Sequence, residues 1–184
     1  MSWAGQAVIA QLADGAELVD VEALVRQHAR LVYRVAWSVL RDHHDAEDAA
    51  QETFVRLWRS RDQLPQIADP RLWLARVAWR VAVDRVRRRR EQPLDDLPEP
   101  LAPGDPLDEQ VAGDQLRVVM EELIAALPKD MQDVINLSAA GDMSAAELGE
   151  ILGVAEGTVR TRLHRARQLL RERLAARLER KRIT

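Results

Sequence analysis

The residues best equipped for chemistry lie in the C-terminal third, in the stretch GVAEGTVRTRLHRARQLL at 153–170. With Val159 and Leu163 buried as anchors, Arg160, Thr161, His164 and Arg165 point outward from one helix, with Thr158 and Arg162 beside them. A guanidinium can bond guanine bidentately or hold a phosphate, and Thr and His can reach base edges. A charge run alone favours a solvated amphipathic helix with i,i+4 pairs. The preceding residues favour DNA. SAAE at 144–147 has the form of a capping box, with Ser144 as cap and Glu147 at the third helical position. Leu148, Ile151 and Leu152 then face inward, and Gly153 permits a tight bend over Val154. Short helix, three-residue turn and longer helix make a helix-turn-helix spanning 144–165, whose second helix fits a major groove.

Two further clusters stand out. Asp45, Glu47, Asp48, Gln51, Glu52 and Arg56 give an acidic helix inside an otherwise basic segment. Such a face suits a basic protein partner and repels DNA; it is also what a plain solvated helix looks like. Downstream, Trp73 and Trp79 lie among Arg71, Arg76, Arg80 and Arg85, and aromatic and guanidinium planes together can stack unpaired bases. Trp73 has two readings, a core residue or a base contact. Arg87–Arg90, with Arg87 and Arg88 foremost, fit either a phosphate clamp or a solvated helix end favoured by the helix dipole. His43 and His44 sit among Asp42, Asp45, Glu47 and Asp48, but adjacent helical residues diverge by about 100°, and no metal site is expected. No phosphate-cradling glycine loop and no nucleophile–base set is present, so neither enzyme chemistry nor a cofactor is expected.

The elements that must position these clusters are helical throughout. Aromatic residues make up 4% of the 184, and Ala, Leu, Val, Arg and Glu dominate, which predicts an all-α fold. Leu31, Val35 and Val39 form one helical stripe, RDHHD interrupts it, and Asp45 is the expected cap of the next helix with Asp48 at the third position. That second helix is expected to turn Ala46, Ala50, Phe54, Leu57 and Trp58 inward. A third starts near Arg71, with Leu74, Val77, Ala78, Val81 and Val83 or Val86 inside. Further helices are expected at about 115–126, ended near Pro128, and at about 129–139, stopped by Gly141.

The net charge of −3 hides three segments. Residues 1–90 carry 15 Lys and Arg against 12 Asp and Glu, residues 91–115 carry 8 acids and no base, and residues 116–184 carry 12 against 10. The acidic stretch EQPLDDLPEPLAPGDPLDEQ holds five prolines, too few apolar groups to offset ordering, and reads as an extended, mobile linker. The chain thus divides into an N-terminal extension (1–20), a first helical domain (21–90), the linker (91–115) and a second helical domain (116–180). With no cysteine, disulfides and thiolate zinc sites are excluded, which suits a reducing cytoplasm. No apolar run approaches the ~20 residues of a membrane span, and the N-terminus lacks the basic region of a secretory signal.

Two blocks together identify a family. ALPKDMQDVINLSAAGDMSAAELGEILGVAEGTVRTRLHRARQLLRERL resembles region 4 of bacterial sigma-70-type factors, specifically the extracytoplasmic-function (ECF, group IV) class. LVYRVAWSVLRDHHDAEDAAQETFVRLWR followed by PRLWLARVAWRVAVDRVRRRR resembles region 2 of the same class. The resemblance implies a promoter-directing sigma factor with core RNA polymerase and promoter DNA as partners. Region 2 would dock on the polymerase clamp helices through Asp45, Glu47, Asp48, Gln51, Glu52 and Arg56, and would melt the −10 element. The loop 61–70 corresponds to the segment that captures a flipped base. Region 4 would sit on the polymerase flap and read the −35 element. The family also implies a cognate anti-sigma factor, and its linker can thread the polymerase RNA channel, a role that stands here beside that of an inert tether. The usual F-x-x-WLYRIARN appears as PRLWLARVAWR, with Pro70 for the aromatic, Ala75 for tyrosine and Arg80 for asparagine, which bears on −10 base preference. The alternative functions are a sigma-like decoy that titrates an anti-sigma factor, and an ordinary helix-turn-helix regulator, which leaves the acidic helix unexplained.

Overall fold

The computed structural model describes residues 20–91 and 111–183. The described residues form seven α-helices and one 3-10 turn. Asp20 caps α1 (Val21–Leu40) by accepting from the Ala23 amide at 3.0 Å. The helix ends where Arg41 takes a left-handed φ of 54°. One residue later Asp42 caps α2 (His43–Arg59), accepting from the Asp45 amide at 2.8 Å. The cap is therefore Asp42 and not Asp45, which instead sits at the third helical position. A 3-10 turn covers Arg61–Gln66, and Pro70 opens α3 (Pro70–Glu91), where its missing amide costs nothing. The second half consists of α4 (Val111–Ala125), α5 (Lys129–Ala140), α6 (Ala145–Leu152) and α7 (Glu156–Ile183). α4 begins inside the stretch read as linker and α3 ends on its first residue, Glu91; residues 92–110 and 1–19 lie outside the described residues. Gly141 does stop α5, with extended backbone (φ −171°).

α1, α2 and α3 pack around Val32, Val35, Leu57, Leu74 and Ala78, all fully buried, extended by Ala36, Ala46, Ala49 and Val81. Burying each such Leu or Val contributes about 1.5–3 kcal/mol. Thr53 is also fully buried, and its hydroxyl is satisfied by the Ala49 carbonyl at 2.8 Å. The inward face of α2 runs through Ala46, Ala49, Ala50, Thr53 and Leu57. Trp58 lies one step past that face and is 41% exposed, against the expectation that it turns inward. The Arg61 guanidinium sits 5.1 Å from its ring centroid. On α3, Leu74, Ala78 and Val81 are buried as expected and Val83 is exposed, while Ala75, Trp79 and Ala82 join the core.

The two halves pack directly on each other, α1 against α5 and α3 against α6. Val134, Leu137, Ala140, Leu148, Ile151 and Val159 belong to the same apolar cluster as Val32 and Leu74. A further cluster within the second half, around Leu123, Leu127, Ala166 and Leu170, ties α4 to α7.

Candidate nucleic-acid interface

The helix-turn-helix is built from local rules. Ser144 Oγ accepts from the Glu147 amide at 3.2 Å, and Glu147 Oε2 accepts from the Ser144 amide at 2.6 Å, completing the capping box. The Ser144 amide holds the Glu147 carboxyl below its ordinary value, with the Ser144 hydroxyl and Arg71 acting in the same direction. Gly153 ends α6 at φ 69°, a left-handed conformation that glycine adopts without strain. The Val154 amide donates to the Gly149 carbonyl at 3.0 Å. A Cβ on Gly149 would lie 2.7 Å from the Val154 carbonyl oxygen, so α6 and the turn touch backbone to backbone.

From that turn α7 buries Val159, Ala166 and Leu170 and leaves Leu163 half-buried. Thr158, Arg160, Thr161, His164 and Arg165 are exposed on its outer surface. Arg160 pairs with Glu156, and the Thr161 hydroxyl donates to the Gly157 carbonyl at 2.9 Å. Arg162 is placed differently: its Nε lies 3.1 Å from Asp130 on α5 and its side chain is only 28% exposed. The outward set thus holds five of the six expected residues, and Arg162 braces the helix instead.

On α3 the expected base- and phosphate-contacting residues divide. Arg71 pairs with Glu147 at 2.6 Å and donates to the Asp142 carbonyl, while Arg76 pairs with Glu150 at 2.5 Å. Trp79 is buried and shares a groove with Arg80, Glu150, Ile151 and Gly153. Trp73 is half-buried against the core. Arg80, Arg87 and Arg88 are exposed, with Arg87 within 4 Å of both Asp84 and Glu91.

The acidic set on α2 is partly neutralised by α3. Arg89 pairs with Asp45, and Arg85 lies 3.5 Å from Asp48 and 3.3 Å from Glu52. Glu52 also pairs with Arg56 at 2.6 Å. Glu47 and Gln51 are exposed. Val55 and Trp58 stand exposed one and two turns beyond Gln51, giving that face an apolar centre not recognised from the sequence. The available signal was the i, i+4, i+7 spacing of Gln51, Val55 and Trp58. His43 is occupied structurally: Nδ1 lies 2.8 Å from the Tyr33 hydroxyl and Nε2 3.4 Å from Glu47. Among the described residues no three His, Asp or Glu side chains gather as a metal site would require. No helix among them is long and apolar enough to cross a membrane.

Residues 24–92 match the family model described as Sigma-70 region 2, and residues 117–170 match Sigma-70, region 4. The ECF RNA polymerase sigma factor SigE of Mycolicibacterium smegmatis is 39% identical over 175 residues, covering 93% of this chain and 68% of SigE. SigW of Bacillus subtilis, also an ECF RNA polymerase sigma factor, is 29% identical over 170 residues, covering 86% of this chain and 88% of SigW. Among solved structures, CnrH in complex with the cytosolic domain of CnrY superposes with a TM-score of 0.60 at 26% identity, over 85% of this chain and 88% of CnrH. The fold is also that of RpoE from Bartonella quintana, solved with the anti-sigma factor NepR, at a TM-score of 0.63 and 24% identity over 85% of this chain and 97% of that one. Both regions occur in order on one chain, and the likeness to SigE runs almost its whole length: the protein belongs to the ECF class of sigma-70 RNA polymerase sigma factors.

Proposed function

We propose that this sigma factor directs core RNA polymerase to its promoters through three separate faces. The outer face of α2, with Asp48, Gln51 and Glu52 around an apolar centre of Val55 and Trp58, docks on the clamp helices. Asp45, Glu47 and Arg56 border it. A polar rim around an exposed aromatic suits a protein partner. α3 meets the −10 element through Arg71, Trp73, Arg76, Trp79 and Arg80, with Arg87 and Arg88 on the adjoining phosphates. α7 reads the −35 element through Thr158, Arg160, Thr161, His164 and Arg165, while region 4 rests on the flap. The observation that carries this reading is the exposed α7 face, positioned by a complete capping box and a left-handed Gly153, on the same chain as the acidic α2.

The protein performs no reaction of its own. It contributes binding energy to promoter melting, uses no cofactor, and acts in the cytoplasm where the polymerase works. A cognate anti-sigma factor is its second protein partner, a reading supported by the likeness to CnrH, itself solved with a protein ligand. The decoy alternative is not favoured, since the relatives over most of the chain are sigma factors. Run-off transcription with purified core polymerase on fragmented genomic DNA, followed by sequencing of the RNAs, tests the reading. Discrete start sites sharing −10 and −35 sequences are expected, and their absence rejects it.

A further inference from the structure

We propose that a cavity where the end of α1 meets α4 and α5 binds a small planar aromatic carboxylate. The cavity has a volume of about 300 Å³, and Trp37, Arg41, Glu121, Ile124, Gln132 and Asn136 stand in its wall. That volume is at the small end for ligand sites and suits a molecule of one or two rings. Its lining comes from α1, α4 and α5 and from Arg41 just past α1, so the site stands apart from the α2, α3 and α7 faces given above. Charge selects an anion. Lys129, also in the lining, pairs with Asp133, and Glu121 lies 3.4 Å from Arg117; neither Asp133 nor Arg117 lines the cavity. Both of those charges are therefore answered from outside. Arg41 has no such answer. Its guanidinium donates to Asn136 Oδ1 at 2.6 Å, a neutral acceptor, and no described carboxylate lies within 4.0 Å of it. A carboxylate can take that guanidinium through two parallel bonds, with the Asn136 amide hydrogens as further donors.

The backbone at Arg41 is a second, independent reason. With φ at 54° it is the one non-glycine residue in the left-handed region among the described residues. Glycine is the easier residue in that conformation. An arginine there lowers local stability, and what the position gains is the side chain that reaches the cavity. The apolar half of the site is also in place. Trp37 is stacked on Tyr33, with ring centroids 6.3 Å apart at 23°, and together with Ile124 it supplies the wall against which a flat ring packs. The Gln132 amide donates to the Ala125 and Leu127 carbonyls at 2.8 and 2.7 Å, which leaves Oε1 to accept from a ring hydroxyl.

The probe is 6-hydroxy-2-naphthoate, titrated by calorimetry into the full-length protein alongside its carboxamide. Saturable one-to-one binding of the acid is expected, about tenfold or more tighter than the amide, because hydrogen bonds to charged groups are the stronger ones. The indole N–H resonance of Trp37, identified by its loss in Trp37→Phe, should shift as the acid binds. Arg41→Gly separates stability from binding. It relieves the left-handed backbone, so its unfolding midpoint should hold, while its affinity for the acid should fall about tenfold or more. Arg41→Gln removes the charge from a side chain of similar reach and reads the same loss should Arg41→Gly soften the fold. Arg30→Gln, which removes an exposed α1 arginine outside the cavity, should bind as the parent does. Retained helicity by circular dichroism shows that the variants fold. No saturable binding of the acid, equal affinity for acid and amide, an unmoved Trp37 resonance, full affinity in both Arg41 variants, or an equal loss in Arg30→Gln would overturn the proposal. Binding is measured without polymerase or DNA, so its failure leaves the promoter-directing reading standing, and failed run-off transcription leaves the cavity standing.

Discussion

Three glycines within nine residues, Gly149, Gly153 and Gly157, should respond to alanine in three different ways. Gly149 lies inside α6, where a methyl gains about 0.8–1.0 kcal/mol of helix propensity. That methyl would also stand 2.7 Å from the Val154 carbonyl oxygen and 3.5 Å from the Glu156 amide nitrogen. Both neighbours are backbone of the turn and of the start of α7, so neither can rotate aside, and overpacking of this kind costs about 1–3 kcal/mol. With a rigid obstacle the cost falls in the upper part of that range, and Gly149→Ala should destabilise by about 1–2 kcal/mol net. At Gly153 nothing lies within 4 Å of a Cβ, but φ is +69°, and Gly153→Ala should cost about 1 kcal/mol from the left-handed backbone alone. Gly157 has both open space and ordinary helical backbone, so Gly157→Ala should stabilise by about 0.4–1 kcal/mol. Urea unfolding followed by circular dichroism at 222 nm gives all three. Gly149→Ala should also weaken −35 binding more than Gly153→Ala, since it pushes on the start of α7. If Gly149→Ala proves as stable as Gly157→Ala, the backbone contact between α6 and the turn is not what positions the reading helix.

Ser144→Ala removes the acceptor of the Glu147 amide and should cost about 1 kcal/mol in the same unfolding assay; a neutral result would mean the capping box carries no stability. Arg165→Ala should weaken promoter binding by about 1–3 kcal/mol with loss of preference at one −35 position, whereas unchanged footprint protection rejects a base contact there. Burial, and next to it the Arg71 charge, holds His28 below its ordinary value of 6.5. The folded state therefore binds the proton less readily than the unfolded one, so stability is full above pH 6.5 and falls as pH drops through that value toward the folded value. Unfolding midpoints at pH 7.5 and 5.5 should show this decline, by at most about 1.4 kcal/mol per pH unit. The decline should shrink in His28→Gln, and an equal decline in that variant refutes the assignment.

What was legible in the sequence was what neighbouring residues decide. Ser144 with Glu147, Gly153 at the bend, and Val159 as anchor all act within one or two helical turns, and each is found as expected. Asp42 and Asp45 show the limit of such rules. Both are good caps three residues apart, and the choice depends on where α1 ends at Arg41. Trp58 was misplaced because its bulk suggested burial, while the small residues Ala46, Ala49 and Ala50 carry the close approach of α2 to the core. The pairs Arg71–Glu147, Arg76–Glu150 and Arg162–Asp130 join residues tens of positions apart on separate helices, and no local spacing announces them. Nor does any local pattern reveal that the two halves share one apolar cluster. The linker composition instead suggested independence.

α7 runs unbroken from Glu156 to Ile183, a rod of about 40 Å at 1.5 Å per residue. Its first turns carry the exposed Thr158, Arg160, Thr161, His164 and Arg165, its middle is seated on Leu123 and Leu127, and Arg177 further along is pinned to Glu122 of α4 at 2.5 Å. A helix continuous over 28 residues can work as a lever. On the proposed −35 reading, a partner that grips the tail would tilt the tip and so change the angle at which α7 meets DNA.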